Sequence, residues 1–457
     1  MSSDWLSTTV EEIAANEPSA ISIGPFGSRM KSECYVDSGV PVVMGSNISD
    51  GKHPAGDFVF VTEAKAAELK SSEVREGDLV FPHRGAIGRV ALIPPNTRMI
   101  LSSSLMKLTP NQEKCCSDFL LYFFRSNRGV HELLKNASTV GTPGIGQPLS
   151  SLKRIPLEVP PLGEQKAIAH ILGTLDDKIK LNRKTNETLE AMAKALFKSW
   201  FVDFDPVRAK VEGRPTGLPD EISDLFPDSF EDSELGEVPS GWEVAELGDC
   251  ELDVESGRRP KGGIDKNLAS GIPSIGAESI APVGQFDFSK TKWVDNDFAD
   301  SSSKGWIQNF DVALYKDGGK PGEFRPRTAL YGDGFPFDKA MVNEHVFLLR
   351  SILLGQPYLY YLFNFDLVLA QIIHKGSSKG AQPGLNQEEV RSSSFIKPDK
   401  RLLDIFNQTV ETSIKKQLLI GKQCQVLSQM RDALLPKLIS GEIRIPDAER
   451  VLEEVGI

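Results

Sequence analysis

Two stretches of this chain, SGVPVVMGSNI from Ser38 to Ile48 and SGIPSIGAESI from Ser270 to Ile280, follow one pattern 232 positions apart. Further pairs keep the same order. GDLVF from Gly77 parallels FDVALY from Phe310, setting Asp78 against Asp311 at an offset of 233; LYFF from Leu121 parallels LYYL from Leu359 at 238; PGI from Pro143 parallels PGL from Pro383 at 240. TLEAMAKALFKSWF from Thr188 faces VLSQMRDALLPKLI from Val426 at 238, which superimposes Met192 on Met430, Ala195 on Ala433 and Leu196 on Leu434. Trp5 and Trp242 open the copies, 237 apart. Short apolar runs recur by chance, but six matches in one order with so narrow a spread of offsets do not. The chain is a duplication with divergence, so both copies must satisfy one fold.

Within each copy, the first ~150 residues mix short β-branched and aromatic runs (FVFV, DLVF, RVALI, VALY, HVFLL) with Gly and Pro punctuation. Helical stretches such as SDFLLYFFRSNRGVHELLKN stand among them, so the class is α/β or mixed α+β and not pure β. Each copy then ends in a long helix. Its seam in the first is Ile168, Leu172, Leu175, Ile179, Asn182, Asn186, Leu189, Ala193, Leu196, and in the second Phe406, Val410, Ser413, Gln417, Ile420, Cys424, Leu427, Arg431, Leu434. Alternating steps of four and three are a heptad pattern. Polar seam residues weaken a coiled coil but fix its register, so the two helices are expected to pack on each other; the alternative is that each covers only its own domain.

The expected layout is therefore a first globular domain over 1–158, a long helix over 159–205, a connector over 206–240, a second globular domain over 241–398, a long helix over 399–441 and an acidic tail over 442–457. Two tandem domains joined by two long antiparallel coiled-coil helices would give a pseudo-two-fold internal repeat. Residues 206–240, rich in Pro, Asp and Glu, suggest an extended connector.

The net charge of −11 is unusual for a nucleic-acid binder, which normally carries excess Lys and Arg. Residues 206–240 and 441–457 hold most of that charge, so the remainder is close to neutral, which permits a basic face without demonstrating one. The five cysteines are odd in number and scattered without a CxxC pair, against both a disulfide framework and a zinc site. No apolar run has the ~18 residues of a membrane helix and the N-terminus lacks a signal-peptide pattern, so a cytoplasmic location away from membranes is expected.

The segment from Ile155 to Pro206 carries a Pro160-Pro161-Leu162 lead-in, Glu164-Gln165-Lys166 at the helix start and a Phe201-Val202-Asp203-Phe204 exit. These resemble the central conserved region of the specificity subunits of type I restriction-modification systems. Ser440 to Arg444 resembles that family's C-terminal ending; GPFGS, GDLVF and RGAIG resemble its target-recognition domains. The second copy lacks the Glu-Gln-Lys triplet, which leaves the start of its helix open. Locally, two prolines before Glu164 suit an extended lead-in and a carboxylate near a helix N-terminus on any reading.

The resemblance implies a non-catalytic DNA-specificity subunit in a bacterial or archaeal cytoplasm, reading a two-part, asymmetric double-stranded DNA target with one domain per half. It also implies two methyltransferase subunits that use S-adenosylmethionine on adenine, and restriction subunits that use ATP and Mg²⁺, with no cofactor in this chain. A helix from about Gly163 to Trp200 would span roughly 55 Å, against about 34 Å for one duplex turn, so half-sites centred about one to two turns apart are expected.

Candidate DNA contacts are basic residues on Gly-rich loops: Gly24, Phe26, Gly27, Arg29 and Lys31 in the first copy, and Arg258, Arg259 and Lys261 near the equivalent place in the second. His83, Arg84, Arg89, Lys316, Lys320, Arg325, Arg327, Lys375 and Lys379 join them, although a basic residue of this kind taken alone is more often a solvated surface charge. Asn47 or Gln147 would suit adenine.

Catalytic signatures are lacking: no Asn/Asp-Pro-Pro-aromatic run, no GxxxxGK[ST], no HExxH, and no metal spacing among six histidines. Asp57 followed by Glu63-Ala64-Lys65 is the nearest nuclease-like pattern, but its spacing is short for such a site and charges flanking the strand-like FVFV suffice to explain it. The rivals are a stand-alone nuclease or methyltransferase, and a coiled-coil scaffold without sequence readout.

Overall fold

The computed structural model describes residues 5–453 apart from 27–28, 139–140, 266–267, 288–289, 321, 333–336 and 380–382. The chain divides into two compact units, one of Met1–Asp177 with Leu427–Ile457, the other of Lys178–Val426. Helices and strands are mixed in both, and the long helices run over Leu162–Phe201 and Lys400–Ile439. Among the described residues no helix is long and apolar enough to cross a membrane.

In the first unit a four-stranded sheet has the order Ile21–Ile23, Leu105–Leu108, Leu79–Pro82, Ala91–Leu92. A five-stranded sheet contains Val40–Val43, which pairs in parallel with Arg98–Leu101. Leu79–Pro82 and Leu105–Leu108 are buried along their whole length because both faces are covered. On one side Val80, Ala91 and Leu105 pack with Val43, Val74 and Leu101 of the second sheet. On the other lies the aromatic helix Ser117–Arg125, where Phe81 and Phe124 meet edge to face at 4.8 Å. Leu6–Thr9 closes the unit by pairing antiparallel with Pro156–Val159.

The second unit follows the same plan. Its four strands run Asp253–Ser256, Val346–Arg350, Val312–Tyr315, Arg327–Leu330; Ile272–Ile275 pairs in parallel with Met341–Val342; Glu243–Glu246 closes it against Ser394–Lys397. The correspondence reaches single hydrogen bonds. The amide of Gly24 donates to the Leu105 carbonyl at 2.9 Å and that of Gly257 to Val346 at 3.3 Å; His83 donates to Ser104 at 2.9 Å and Lys316 to His345 at 3.0 Å; Gly85 donates to Pro143 at 2.8 Å and Gly318 to Pro383 at 3.3 Å.

The matched aspartates have matched surroundings. Both are buried, and burial pushes both above the usual carboxylate range. Asp78 accepts from the Thr109 hydroxyl at 2.6 Å with the Lys107 ammonium 3.6 Å away, and Asp311 accepts from two guanidinium nitrogens of Arg350 at 2.6 Å.

Each unit also contains a crossing of the two long helices. In the first, Arg431 and the Tyr122 hydroxyl both donate to Asp176 at 2.9 Å. In the second, the Asn182 amide donates to the Gln423 side chain at 2.9 Å and that of Asn186 to the Gln417 carbonyl at 3.1 Å. Partner numbers fall on one helix as they rise on the other, so the helices pack antiparallel, with polar seam residues pinning the register.

Ile168, Leu172, Leu175, Ile179, Phe406, Val410, Leu427 and Leu434 are buried as the seam requires. Leu189, Leu196 and Ile420 are only half-buried, and Glu190, Phe197 and Leu418 lie inside. A helix of 3.6 residues per turn drifts about 20° per heptad from a strict seven-residue stripe. Beyond Asn186 the buried face has turned toward the second unit's aromatic core, where Tyr361 donates to Glu190 at 3.0 Å and Phe197 lies 5.3 Å from Tyr358.

Gln165 anchors the first long helix. Its side chain is 1% exposed, accepts from the Cys116 amide at 2.8 Å, and donates to the carbonyls of Lys114 and Pro160 at 3.1 and 2.8 Å. Asn407 does the same work in the second copy, accepting from the Tyr358 amide and donating to the Leu354 carbonyl, both at 2.8 Å. The triplet is thus replaced by an amide about one turn further into the helix. Gln165→Ala, which strands three buried backbone groups, is expected to lower stability by about 2–3 kcal/mol in denaturant unfolding; a loss under about 0.5 kcal/mol would mean that water substitutes fully.

Residues 206–240 are not extended. They form helices Asp205–Val211 and Asp220–Ser223 and a hairpin of Phe230–Ser233 with Gly236–Pro239. Phe204, Val207 and Phe226 join Trp200 and Trp242 in the second unit's core, and these apolar anchors hold down a segment whose composition is otherwise that of a solvated linker. The acidic tail is likewise folded, as helix Ile445–Glu453 with Ala448 and Leu452 buried.

Candidate nucleic-acid interface

Three chain segments converge in each unit. In the first, Gly24 lies so close to the chain that a Cβ there would sit 1.8 Å from the Ser102 carbonyl oxygen. This contact launches the loop bearing Phe26, which is 58% exposed with its ring 6.4 Å from that of His83. His83 is buried, and its Nε2 faces the Ser103 carbonyl at 3.0 Å, which places a proton on that nitrogen. Arg84 and Ser103 beside it are exposed.

Burial holds His83 below its ordinary value of 6.5, so the ring is neutral at pH 7. Between the lowered value and 6.5 only the unfolded chain binds the proton; the stabilisation is therefore complete above pH 6.5 and is lost as pH falls through that window. Thermal midpoints of the unaltered chain should fall more steeply from about pH 7 to 5 than those of His83→Gln. Equal slopes would remove His83 from the pH response.

In the second unit a Cβ on Gly257 would lie 2.0 Å from the Val342 carbonyl oxygen. The loop that follows carries Arg259, which pairs with Glu344 at 3.1 Å; Glu344 lies 3.3 Å from His345, His345 2.9 Å from Asp317, and Asp317 3.5 Å from Lys316. The first copy thus presents a ring, hydroxyls and one guanidinium where the second presents Arg259, Glu344, His345, Asp317 and Lys316 in succession.

Residues 24–191 match the type I restriction modification DNA specificity domain. Over 394 residues the chain is 28% identical to the MjaIX specificity subunit of a type I restriction enzyme from Methanocaldococcus jannaschii, covering 85% of this chain and 82% of that one. It is 26% identical over 428 residues to the HindI specificity subunit from Haemophilus influenzae, covering 81% and 87%. The chain thus carries the type I restriction modification DNA specificity domain over residues 24–191 and is similar to type I restriction specificity subunits over most of its length. The crystal structure of the S subunit of a type I system from M. genitalium shares the fold, with a TM-score of 0.57, 15% identity and coverage of 96% and 97%.

In this chain, Gly24, Phe26, His83 and Arg84 of the first copy come together, as do Arg259 and Lys316 of the second. Gly27 lies outside the described residues. Gly24 makes room for the protein's own backbone. Arg29 donates to the Glu68 carbonyl at 3.3 Å. Arg89 donates to the Ile48 carbonyl at 3.1 Å and lines a cavity of about 260 Å³ with Tyr122, Arg125, Asp176 and Arg431, among other side chains. Lys320 lies in a small hairpin that Arg325 follows, Arg325 pairing with Glu323, and Arg327 lies over the Tyr315 ring at 5.1 Å.

Lys375 is engaged inside the fold, donating to the Glu389 carbonyl at 3.0 Å and to the Ser392 and Ser393 hydroxyls at 3.1 Å, and burial lowers its pKa. Lys379 pairs with Glu389 at 2.7 Å. Asn47 donates to the Ala55 and Asp57 carbonyls at 3.0 and 2.9 Å and accepts from the Met44 amide at 2.9 Å, so its amide faces the loop it holds. Glu63 pairs with Arg98 and Lys65 with Glu68, at 2.8 and 2.7 Å, leaving Asp57 without the carboxylate-lysine grouping its spacing suggested. Lys31, Arg84, Arg258, Lys261 and Lys320 are exposed and have no ion-pair partner among the described residues.

Sequence reasoning passed over Ser103, Ser104, Asp317, Glu344 and His345. Carrying the repeat through the strands at Leu105 and Val346, 241 apart, would have set Ser103 and Ser104 against Glu344 and His345, and the offset of 233 between Asp78 and Asp311 sets Arg84 against Asp317.

Proposed function

We propose that this chain binds double-stranded DNA and reads a split target, one half per copy, without catalysing a reaction itself. The observation that carries the reading is the duplicated loop frame, built with the same backbone hydrogen bonds and dressed with different side chains, as two unrelated half-sites require. The five exposed cations suit phosphate and base-edge contacts. Leu181, Met192, Leu419 and Val426, apolar yet exposed on the long helices, suit docking of methyltransferase subunits. Those partners would supply S-adenosylmethionine chemistry on adenine, and restriction subunits the ATP- and Mg²⁺-dependent steps.

The test is co-expression with the methyltransferase partner in a methylation-deficient bacterium, followed by sequencing of modified adenines. The expected result is a split motif methylated only when this chain is present. A stable complex with no motif would sink the reading in favour of a scaffold; cleavage or methylation by the purified chain alone would favour an enzyme. One heptad added to both long helices lengthens each by about 10 Å and is expected to widen the unread gap by roughly three base pairs. An unchanged gap would mean that the helices do not set the spacing.

A further inference from the structure

We propose that four pairs of equivalent positions decide which bases each copy accepts: Phe26 and Arg259, Arg84 and Asp317, Ser103 and Glu344, Ser104 and His345. This rests on the reading of the chain as a DNA-binding subunit and goes further by separating the residues that hold the frame from those that read.

The frame is fixed on every side of these positions. Gly24 and Gly257 make the same close approach, to Ser102 in one copy and to Val342 and Asn343 in the other. The Ser102 amide donates to Val43 at 2.9 Å as Asn343 does to Ile275 at 3.0 Å, and the Ile145 amide donates to His83 as Leu385 does to Lys316, both at 2.8 Å. Around them Gly85 and Gly318, Pro143 and Pro383, and Gly144 and Gly384 are identical. Between these invariant points all four side chains change in charge or size.

Exposed loop positions also drift without consequence. Drift alone does not assemble the second copy's pairing, in which Arg259, Glu344, His345, Asp317 and Lys316 follow one another within ion-pair distance. The chemistry differs accordingly. The first copy offers an aromatic ring, two hydroxyls and the Arg84 guanidinium, suited to a thymine methyl and to guanine acceptors. The second adds carboxylates, which accept from the amino groups of cytosine.

The experiment selects DNA on the chain in complex with its methyltransferase partner, from libraries in which one half-site is randomised and the other fixed. Phe26→Arg, Arg84→Asp, Ser103→Glu and Ser104→His are combined, and His83 is left in place because it is buried. Base preference in the first copy's half-site should shift by about tenfold or more at one position or more, as loss of one good base contact implies, while the other half-site is unchanged. An unchanged first half-site, or equal change in both, overturns the proposal. Should the combined variant misfold, Phe26→Ala and Arg84→Ala, both at exposed positions, test it singly: discrimination must fall in one half-site only. If the unaltered chain selects no half-site at all, the DNA-binding reading fails and takes this inference with it.

Discussion

Gly257→Ala is expected to lower the stability of the chain by about 3 kcal/mol or more, the upper range for forcing extra volume into packed backbone. The added Cβ would lie 2.0 Å from the Val342 carbonyl oxygen and 2.3 Å from that of Asn343, and neither backbone group can turn aside as a side chain would. Gly24→Ala should behave alike, with the Ser102 carbonyl oxygen 1.8 Å away. Gly163 is the control: it stands in the first turn of a long helix with nothing within 4 Å of the added carbon, so alanine there should stabilise by about 0.5–1 kcal/mol. Denaturant unfolding of the three variants gives two losses and one gain. A Gly257→Ala chain as stable as its parent would mean that this loop does not press on the sheet in solution.

Arg350→Met should cost about 3–5 kcal/mol, because it leaves a buried carboxylate without its cation. Asp311 is 2% exposed and, among the described residues, would keep only the Gln308 amide, at 2.7 Å. Asp311→Asn should cost less, about 1–2 kcal/mol. Its guanidinium partner is 20% exposed and retains the Trp306 carbonyl at 3.0 Å, with Glu255 and Asp253 3.7 and 3.8 Å away. The pH dependence separates the two. Burial raises the Asp311 carboxyl in the folded chain, and without Arg350 little opposes it. A carboxyl raised on folding favours the folded state below its unfolded value and loses that advantage as pH rises, so the Arg350→Met defect deepens above pH 3.8 and shrinks on acidification. Equal defects in both variants would show the site to be wet enough to hydrate a lone carboxylate.

Much of the architecture was legible because duplication writes each element twice. Asp78 and Asp311 mark matching strands, and the heptad stripes from Ile168 and Phe406 mark the long helices. What escaped depends on contacts that a local pattern does not encode. The shift from Leu189 to Glu190 follows from the aromatic core that meets the helix there, with Tyr361 fixing the carboxylate. The folded course of residues 206–240 hangs on three anchors, Phe204, Val207 and Phe226, diluted in an acidic composition. Asn407 is invisible as a counterpart of Gln165 until the backbone shows both amides at the same task. At the candidate interface, basic residues were the guide; they pointed to Arg84 and Arg259, which lie on the converging loops, and to Lys375, whose ammonium is engaged inside the fold, and passed over the acidic and hydroxyl neighbours on those loops.

Each long helix finishes against the tryptophan that opens the other copy. Phe201 and Phe204 meet Trp242 at 6.1 and 5.7 Å, and Gly441 brings the end of the second helix within 3.2 Å of the Trp5 ring, measured from where a Cβ would stand. The two junctions are alike, so the order of the copies is cyclic and neither is first in a physical sense. A circular permutant opened in the exposed turn at Gly213 to Gly217, with a flexible link from residue 453 to residue 5, should assemble the same two units, because no strand pairing or helix crossing would be cut.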